Sequence, residues 1–324
     1  MLPQALLGQI ADVDIRLLRV FRAVAESGGL AAAESELNIG RSTISRHLND
    51  LETRLGVTLC SRGRAGFALT DEGEVIYRAA LRLLANIETF RAEVNEVRQQ
   101  ISGHLTLALF DKTATNPAAK IGAAIRALDV QAPDITLEIF TEPLNAIEQG
   151  VQEGRFQIGL GPMHKPMPGL AYYPLFDEPM SLYCGSGNPL YGKRNASIDA
   201  RALKSVRYAG LAYRSPNMDV SRDLGLTRSA TVYDQESIAT LILSGRYIGF
   251  LPDHYADGFV RQRKMRRIAA GTHRYTVEFA AVVRDTPRLS RMTSLFLECL
   301  REAHGVNDGR AGKPLVAAAG NRAD

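Results

Sequence analysis

The chain has 324 residues, 45% hydrophobic and 23% charged, the balance of a soluble globular protein with room for about two ordinary domains. No apolar run is long enough to span a bilayer, and MLPQALLGQIADV lacks the basic start and long apolar centre of a secretion signal, so a cytoplasmic protein is expected. A net charge of +4 and a pI near 9.0 permit nucleic-acid binding without requiring it.

Residues 1–13 read as a short extension. Ile15, Leu18, Phe21 and Val24 then mark one helix and Leu30, Ala33 and Leu37 a second, with Ser27-Gly28-Gly29 breaking the chain between them. In a third, Ile44, Leu48, Leu51 and Leu55 recur at helical spacing, which leaves Arg41, Ser42, Thr43, Ser45, Arg46 and Asn49 facing outward. Short hydroxyl and amide side chains flanked by arginines can reach base edges and phosphates in a major groove. Leu59–Arg62 and Phe67–Thr70 can pair as short strands around a turn with Arg64 at its tip. Three helices and a basic hairpin in this order make a winged helix-turn-helix, residues 14–72. Acids such as Asp14, Glu34 and Glu52 offset most of its arginines, so attraction to double-stranded DNA must be local, at Arg41, Arg46, Arg62 and Arg64.

The run DIRLLRVFRAVAESGGLAAAESELNIGRSTISRHLNDLETRLGVTLCSRGRAGFALTDEG resembles the amino-terminal domain of the LysR-type transcriptional regulators almost position by position. Members usually carry Gln-Pro-Ala where this chain has Arg41-Ser42-Thr43. That departure falls on the DNA-reading face, so the base preference need not follow the family.

Over residues 73–102 a proline-free helical pattern spaces Ile76, Ala80, Leu83, Ile87, Phe90, Val94 and Val97 alternately four and three apart, the seam of a coiled coil. Packing within the chain is the alternative, but so regular a seam favours a second subunit. Two reading helices about a twofold axis then predict an interrupted palindromic site. Dimer and dimer of dimers both stay open.

Residues 103–304 alternate strands with helices. Leu105, Leu107 and Leu109 begin the first strand; Asn116-Pro117 then supplies an N-cap and first-turn proline for a helix carrying Ile121, Ile125 and Leu128. Ile135, Leu137 and Ile139 mark a strand, Leu144, Ile147 and Val151 a helix, and Ile158-Gly159-Leu160 a further strand, an α/β pattern with a largely parallel sheet. PLFDEPMSLYCGSGNPL, SIATLILSGRYIGFLP and FAAVVRDTPRLSRMTSLFLECL look like the crossover, closing and return segments of the LysR effector domain. The resemblance spans about Asp14 to His304. It implies an α+β multidomain chain: a winged helix-turn-helix, a coiled-coil linker helix and a two-lobed α/β effector domain resembling periplasmic solute-binding proteins. Lobe I would take about residues 103–180 and 272–304, lobe II about 181–271.

Carried over residue by residue, the resemblance lines the cleft between lobes with Phe110, Asp111, Lys112, Thr113, Thr115, Thr141 and Pro162 from one side and Tyr213, Asp234 and Phe250 from the other. A helix starting near Asn116 would point unpaired amides into that space, and with Lys112 this leads us to expect a small, carboxylate-like effector. Asp111 and Lys112 can equally pair with each other, and Tyr173, Tyr213 and Phe250 can equally be core. By the same resemblance, effector-driven lobe closure would shift DNA contacts and RNA polymerase access.

Cys60, Cys184 and Cys299 have no metal-ligand or redox-pair spacing, which makes them small apolar fillers before thiol sensors. The basic run at residues 261–267 reads as a solvated face and residues 305–324 as a disordered tail. No nucleophile elbow, phosphate-binding glycine loop or HExxH is present. Hence no catalytic or metal-binding residue, no cofactor and no membrane partner is assigned, with His164 the histidine nearest the expected cleft. An α/β enzyme fused to a DNA-binding module is the competing class.

Overall fold

The computed structural model describes residues 10–63, 66–97, 101–212, 216–268, 274–306 and 315–316. The chain divides into two compact units, Met1–Arg91 with Glu153–Arg155, and Ala92–Gln152 with Phe156–Asp324.

In the first unit α1 (Asp12–Glu26), α2 (Leu30–Leu37) and α3 (Arg41–Leu55) precede a hairpin, β1 (Cys60–Gly63) and β2 (Gly66–Leu69), after which α4 (Asp71–Val97) begins. Leu17, Phe21 and Val24 of α1, Ala33 of α2, and Ile44, Leu48 and Leu51 of α3 close on one core with Leu59. This is the stripe that the 3.6-residue period selects. Asn38, in left-handed backbone at φ 51°, stops α2. The first turn of α3 has no side-chain cap from Gly40; instead Glu34 Oε1 of α2 accepts the Arg41 N–H at 2.5 Å. The Glu52 carboxylate accepts the N–H groups of Leu59 at 2.7 Å and Cys60 at 3.3 Å, tying the hairpin to α3. A Cβ on Gly73 would lie 2.0 Å from the Leu59 carbonyl oxygen, so only glycine lets α4 start this close to the wing.

The second unit runs β3 (Gly103–Leu109), α5 (Ile121–Gln131), β4 (Ile135–Thr141), α6 (Leu144–Glu153), β5 (Ile158–Pro162), β6 (Leu170–Gly185), α7 (Ala200–Lys204), β7 (Arg207–Leu211), α8 (Pro216–Asp223), β8 (Arg228–Val232), α9 (Gln235–Leu243), β9 (Tyr247–Pro252), α10 (Asp253–Arg261), β10 (Met265–Arg267), β11 (Arg274–Arg284), α11 (Arg291–His304) and β12 (Leu315–Val316). One ten-stranded sheet runs β4-β3-β5-β11-β6-β9-β7-β8, with β10 and β12 on β6. β3 is parallel to β4 and β5, and β7 is parallel to β8 and β9. The antiparallel pair of β6 and β11 joins these two parallel ends, giving two lobes on one continuous sheet. Ile121, Ala124 and Leu128 of α5 pack with Phe296 and Leu300 of α11 on the first lobe, and Ile238 and Ile242 of α9 pack with Phe250 in the second.

Three expectations change. The helix expected to open at Asn116 opens at Ile121, after a 3-10 turn at Thr113–Thr115 and left-handed backbone at Lys120, φ 45°. Asn116 is buried, and its Oδ1 accepts the Ala118 N–H at 2.9 Å, a local turn that competes with helix. The basic run is partly stitched inward: Arg266 donates to the Tyr191 carbonyl and to Asn195 Oδ1, and Arg267 pairs with Asp253 at 2.9 Å. In the expected disordered tail, Leu315 and Val316 pair with Tyr172 and Ala171 of β6; residues 307–314 and 317–324 lie outside the described residues. All three cysteines are buried, and burial pushes the Cys184 thiol up to about 11, which disfavours the reactive thiolate.

Candidate nucleic-acid interface and effector cleft

With Ile44, Leu48 and Leu51 turned inward, α3 leaves Arg41, Ser42, Arg46 and Asn49 exposed and Thr43 and Ser45 half-buried. Arg62 pairs with Phe67 in the wing; Arg64 lies outside the described residues. Arg54, also on α3, faces the other way. Its Nη2 donates to Asp14 Oδ2 at 2.9 Å, Asp14 is 2% exposed, and hydrogen bonding to Arg54 holds the Asp14 carboxyl below its ordinary value. Asp14 therefore neutralises an arginine turned toward α1 and takes nothing from the outward face. The two residues are 40 positions apart, so no local pattern announced the pair.

Along α4, Ile76 and Tyr77 pack on the first unit's core, and the Tyr77 ring meets Phe21 edge-on at 6.2 Å. Ala80 is buried and Leu83 and Ile87 are half-buried, whereas Phe90 is 64% and Val94 43% exposed. The side chain of Val97 is outside the described residues. The early part of the expected seam is thus occupied within the chain, as Ile76 shows, and an exposed apolar pair remains near the helix end.

The loop after β3 is where the two lobes meet. Asp111 Oδ2 accepts the Gln235 N–H at the start of α9 at 2.7 Å. Lys112, in left-handed backbone at φ 62°, donates to Glu236 Oε2, and its Nζ lies 4.9 Å from the centroid of the Tyr255 ring. Such backbone costs about 1 kcal/mol in a non-glycine residue, and these cross-lobe bonds hold it. Thr115 Oγ1 and His254 Nδ1 are 3.1 Å apart. On β6, Glu178 is 4% exposed; its Oε1 accepts Asn116 Nδ2 at 2.9 Å and lies 2.9 Å from His254 Nε2. His164, after β5, has Nε2 3.1 Å from Asp219 Oδ2 on α8. Burial pushes the Asp111 carboxyl up to about 6, against the pull of the Gln235 N–H and Lys112.

The structure therefore brings Asp111, Lys112, Thr115 and Asp234 toward one place. Asp234 is the cap of α9, accepting the Ser237 N–H at 2.6 Å. Asp111 and Lys112 each turn to the other lobe rather than to one another. Thr113 is buried, Thr141 exposed and Pro162 buried at the end of β5. Phe250 is 0% exposed, its ring edge-on to Tyr208 and Tyr275, and Phe110 is 5% exposed against Phe279. Both rings are lobe core here. Tyr213 lies outside the described residues. Sequence reasoning missed Glu178, Glu236, His254 and Tyr255. The available signal was two adjacent acids, Asp177-Glu178, inside an otherwise apolar strand, since a buried charge requires a partner.

Two family descriptions match the chain: "Bacterial regulatory helix-turn-helix protein, lysR family" over residues 15–74 and "LysR substrate binding domain" over residues 98–305. The chain belongs to the LysR family of transcriptional regulators, DNA-binding proteins that carry an effector-binding domain and are not enzymes. It is 41% identical to the HTH-type transcriptional activator BauR of Pseudomonas aeruginosa over 294 residues, covering 91% of this chain and 96% of that one. Among solved structures it is similar to CbnR, a LysR family transcriptional regulator, with a TM-score of 0.61 at 21% identity over 90% of this chain and 99% of that chain. Full-length CbnR complexed with its target DNA gives 0.59 at 22% identity, over 89% and 99%. No described helix is long and apolar enough to cross a membrane.

Proposed function

We propose that this regulator reads an interrupted palindromic promoter site with the outward face of α3 and the wing, and that a small molecule held between the lobes of the second unit governs it. The observation that carries the reading is the two-sided character of α3, with Ile44, Leu48 and Leu51 at 1% exposure or less and Arg41, Ser42, Arg46 and Asn49 open to solvent. Arg46 meets phosphate or a base edge, Ser42 and Asn49 read bases, and Arg62 and Arg64 take the flanking backbone. Phe90 and Val94 pair with the same helix of a second copy, which supplies the second half-site. We assign activation as its sense, the sense printed for BauR, with RNA polymerase as the partner acted on.

For the effector, the cross-lobe residues Asp111, Lys112 and Thr115, with Asp234 capping α9 beside them, are the support. A carboxylate-like ligand has less than the sequence offered, because no helix opens at Asn116 and Lys112 already faces Glu236. A mobility-shift assay on DNA from upstream of the coding region, across a salt series, tests the DNA half. A specific complex that weakens steeply with salt is expected, and binding no tighter than to unrelated DNA would overturn it for that promoter.

A further inference from the structure

We propose that the effector presents a cationic hydrogen-bond donor, an ammonium group, to the cleft at Asp111. The inference deepens the effector reading above and rests on it. Asp111 uses Oδ2 for the Gln235 N–H; its Oδ1 is shut away from water with no hydrogen-bond donor among the described residues. Gln235 is itself 3% exposed, and its Oε1 is buried without a donor as well. Two buried acceptors on residues joined by one hydrogen bond are costly, because each has lost water and gained nothing. A donor arriving from outside the chain would offset that cost at each of these acceptors it reaches.

Charge selects the kind of donor. Glu178, Asp234 and Glu236 share this end of the cleft with Asp111, while Lys112 is engaged by Glu236 and His254 by Glu178. An entering carboxylate meets more acid than free base there. A primary ammonium brings three donors and the opposite charge. The anion seat offered by the first turn of α9 is, moreover, already filled by the Asp111 carboxylate.

The test is thermal unfolding of the full chain with four probes of similar size: propylamine, propionate, propionamide and alanine. Propylamine and alanine should raise the melting temperature by roughly 2 °C or more at saturation, and the other two should not. Asp111→Asn keeps an acceptor for the Gln235 N–H and presents an NH2 group of its own. It should melt at or above the wild type, with the amine response weakened at least about tenfold. Should it melt lower, Gln235→Glu carries the test, since an added carboxylate must tighten the amine response. Stabilisation by propionate and not by the amines would overturn the inference and leave the effector cleft standing. An undiminished amine response in Asp111→Asn, or no gain in Gln235→Glu, would overturn it too. No effect of any probe on melting or on the promoter complex would overturn it together with the effector reading.

Discussion

The polar face of the reading head and the polar lining of the cleft are built in opposite ways. On α3 the side chains proposed to read DNA are exposed or half-buried, and the apolar stripe behind them does the folding. In the cleft Asn116, Glu178 and Gln235 are buried, and polar groups bond across the lobes, Asp111 to Gln235 and Glu178 to His254, while Glu178 also holds Asn116 within its own lobe. The difference separates two kinds of design. A surface that meets a partner as large as DNA can keep its reading residues free of folding duty, whereas a site that responds to a small molecule makes its ligand groups part of the packing. Changes on the exposed face should alter binding alone, and changes in the cleft should alter stability and response together.

The largest expected effect breaks the head from behind. Ile44→Asp puts a carboxylate at a site with 0% exposure and should cost about 4 kcal/mol or more, abolishing DNA binding while far-UV circular dichroism retains a second, unshifted transition. Next, Glu178→Ala removes the acceptor shared by Asn116 and His254 and should destabilise by roughly 3 kcal/mol, read by denaturant unfolding. A cost near zero would mean the cleft network carries no packing load.

Asp111→Asn sharpens the comparison through pH. The folded carboxyl lies near 6 because of burial, above the unfolded value of about 3.9. The folded chain therefore holds this proton more tightly, and the group's contribution is full at acid pH, falls as pH rises from about 4 to about 6, and stays low above that. With Lys112, Asp234 and Glu178 unchanged around it, the variant should match the wild type near pH 4 and exceed it above pH 6, by on the order of 2 kcal/mol. Equal pH profiles would count against it. Smallest in stability is Arg46→Ala, which should leave the melting temperature unchanged and weaken promoter binding roughly ten- to a hundredfold; a fall in melting temperature would show that this face also folds the head.

The same contrast explains what the sequence could disclose. α1, α2, α3 and the wing follow from periodicity and breakers because the apolar stripe of each helix repeats within three or four positions, although the Asp14–Arg54 pair does not. The cleft does not. Asp111 and Gln235 are 124 positions apart and Thr115 and His254 139, so their meeting depends on how the sheet brings two lobes together. The early start expected for α5 failed for a related reason: Asn116-Pro117 is a sound local signal, and the buried Glu178, 62 residues on, claims the asparagine instead. Similarly, the period along α4 located Ile76 and Phe90 on one stripe, and only the tertiary structure shows the first half-buried against the core of its own chain and the second open.

β6 and β11 run through both lobes, paired from Arg274 opposite Ser181 to Arg284 opposite Leu170, with one register shift at Phe279/Ala280. Two lobes tied by a continuous hydrogen-bonded ladder have no floppy hinge, and sliding would break the rungs. Such a pair would serve as a torsion bar, resisting translation more than twist, with the register shift at Phe279/Ala280 the one break in its ladder. Were an effector to close the lobes, this ladder would favour a small rotation over a slide, and a rotation delivered by a stiff element keeps its direction over a distance that a flexible linker would blur.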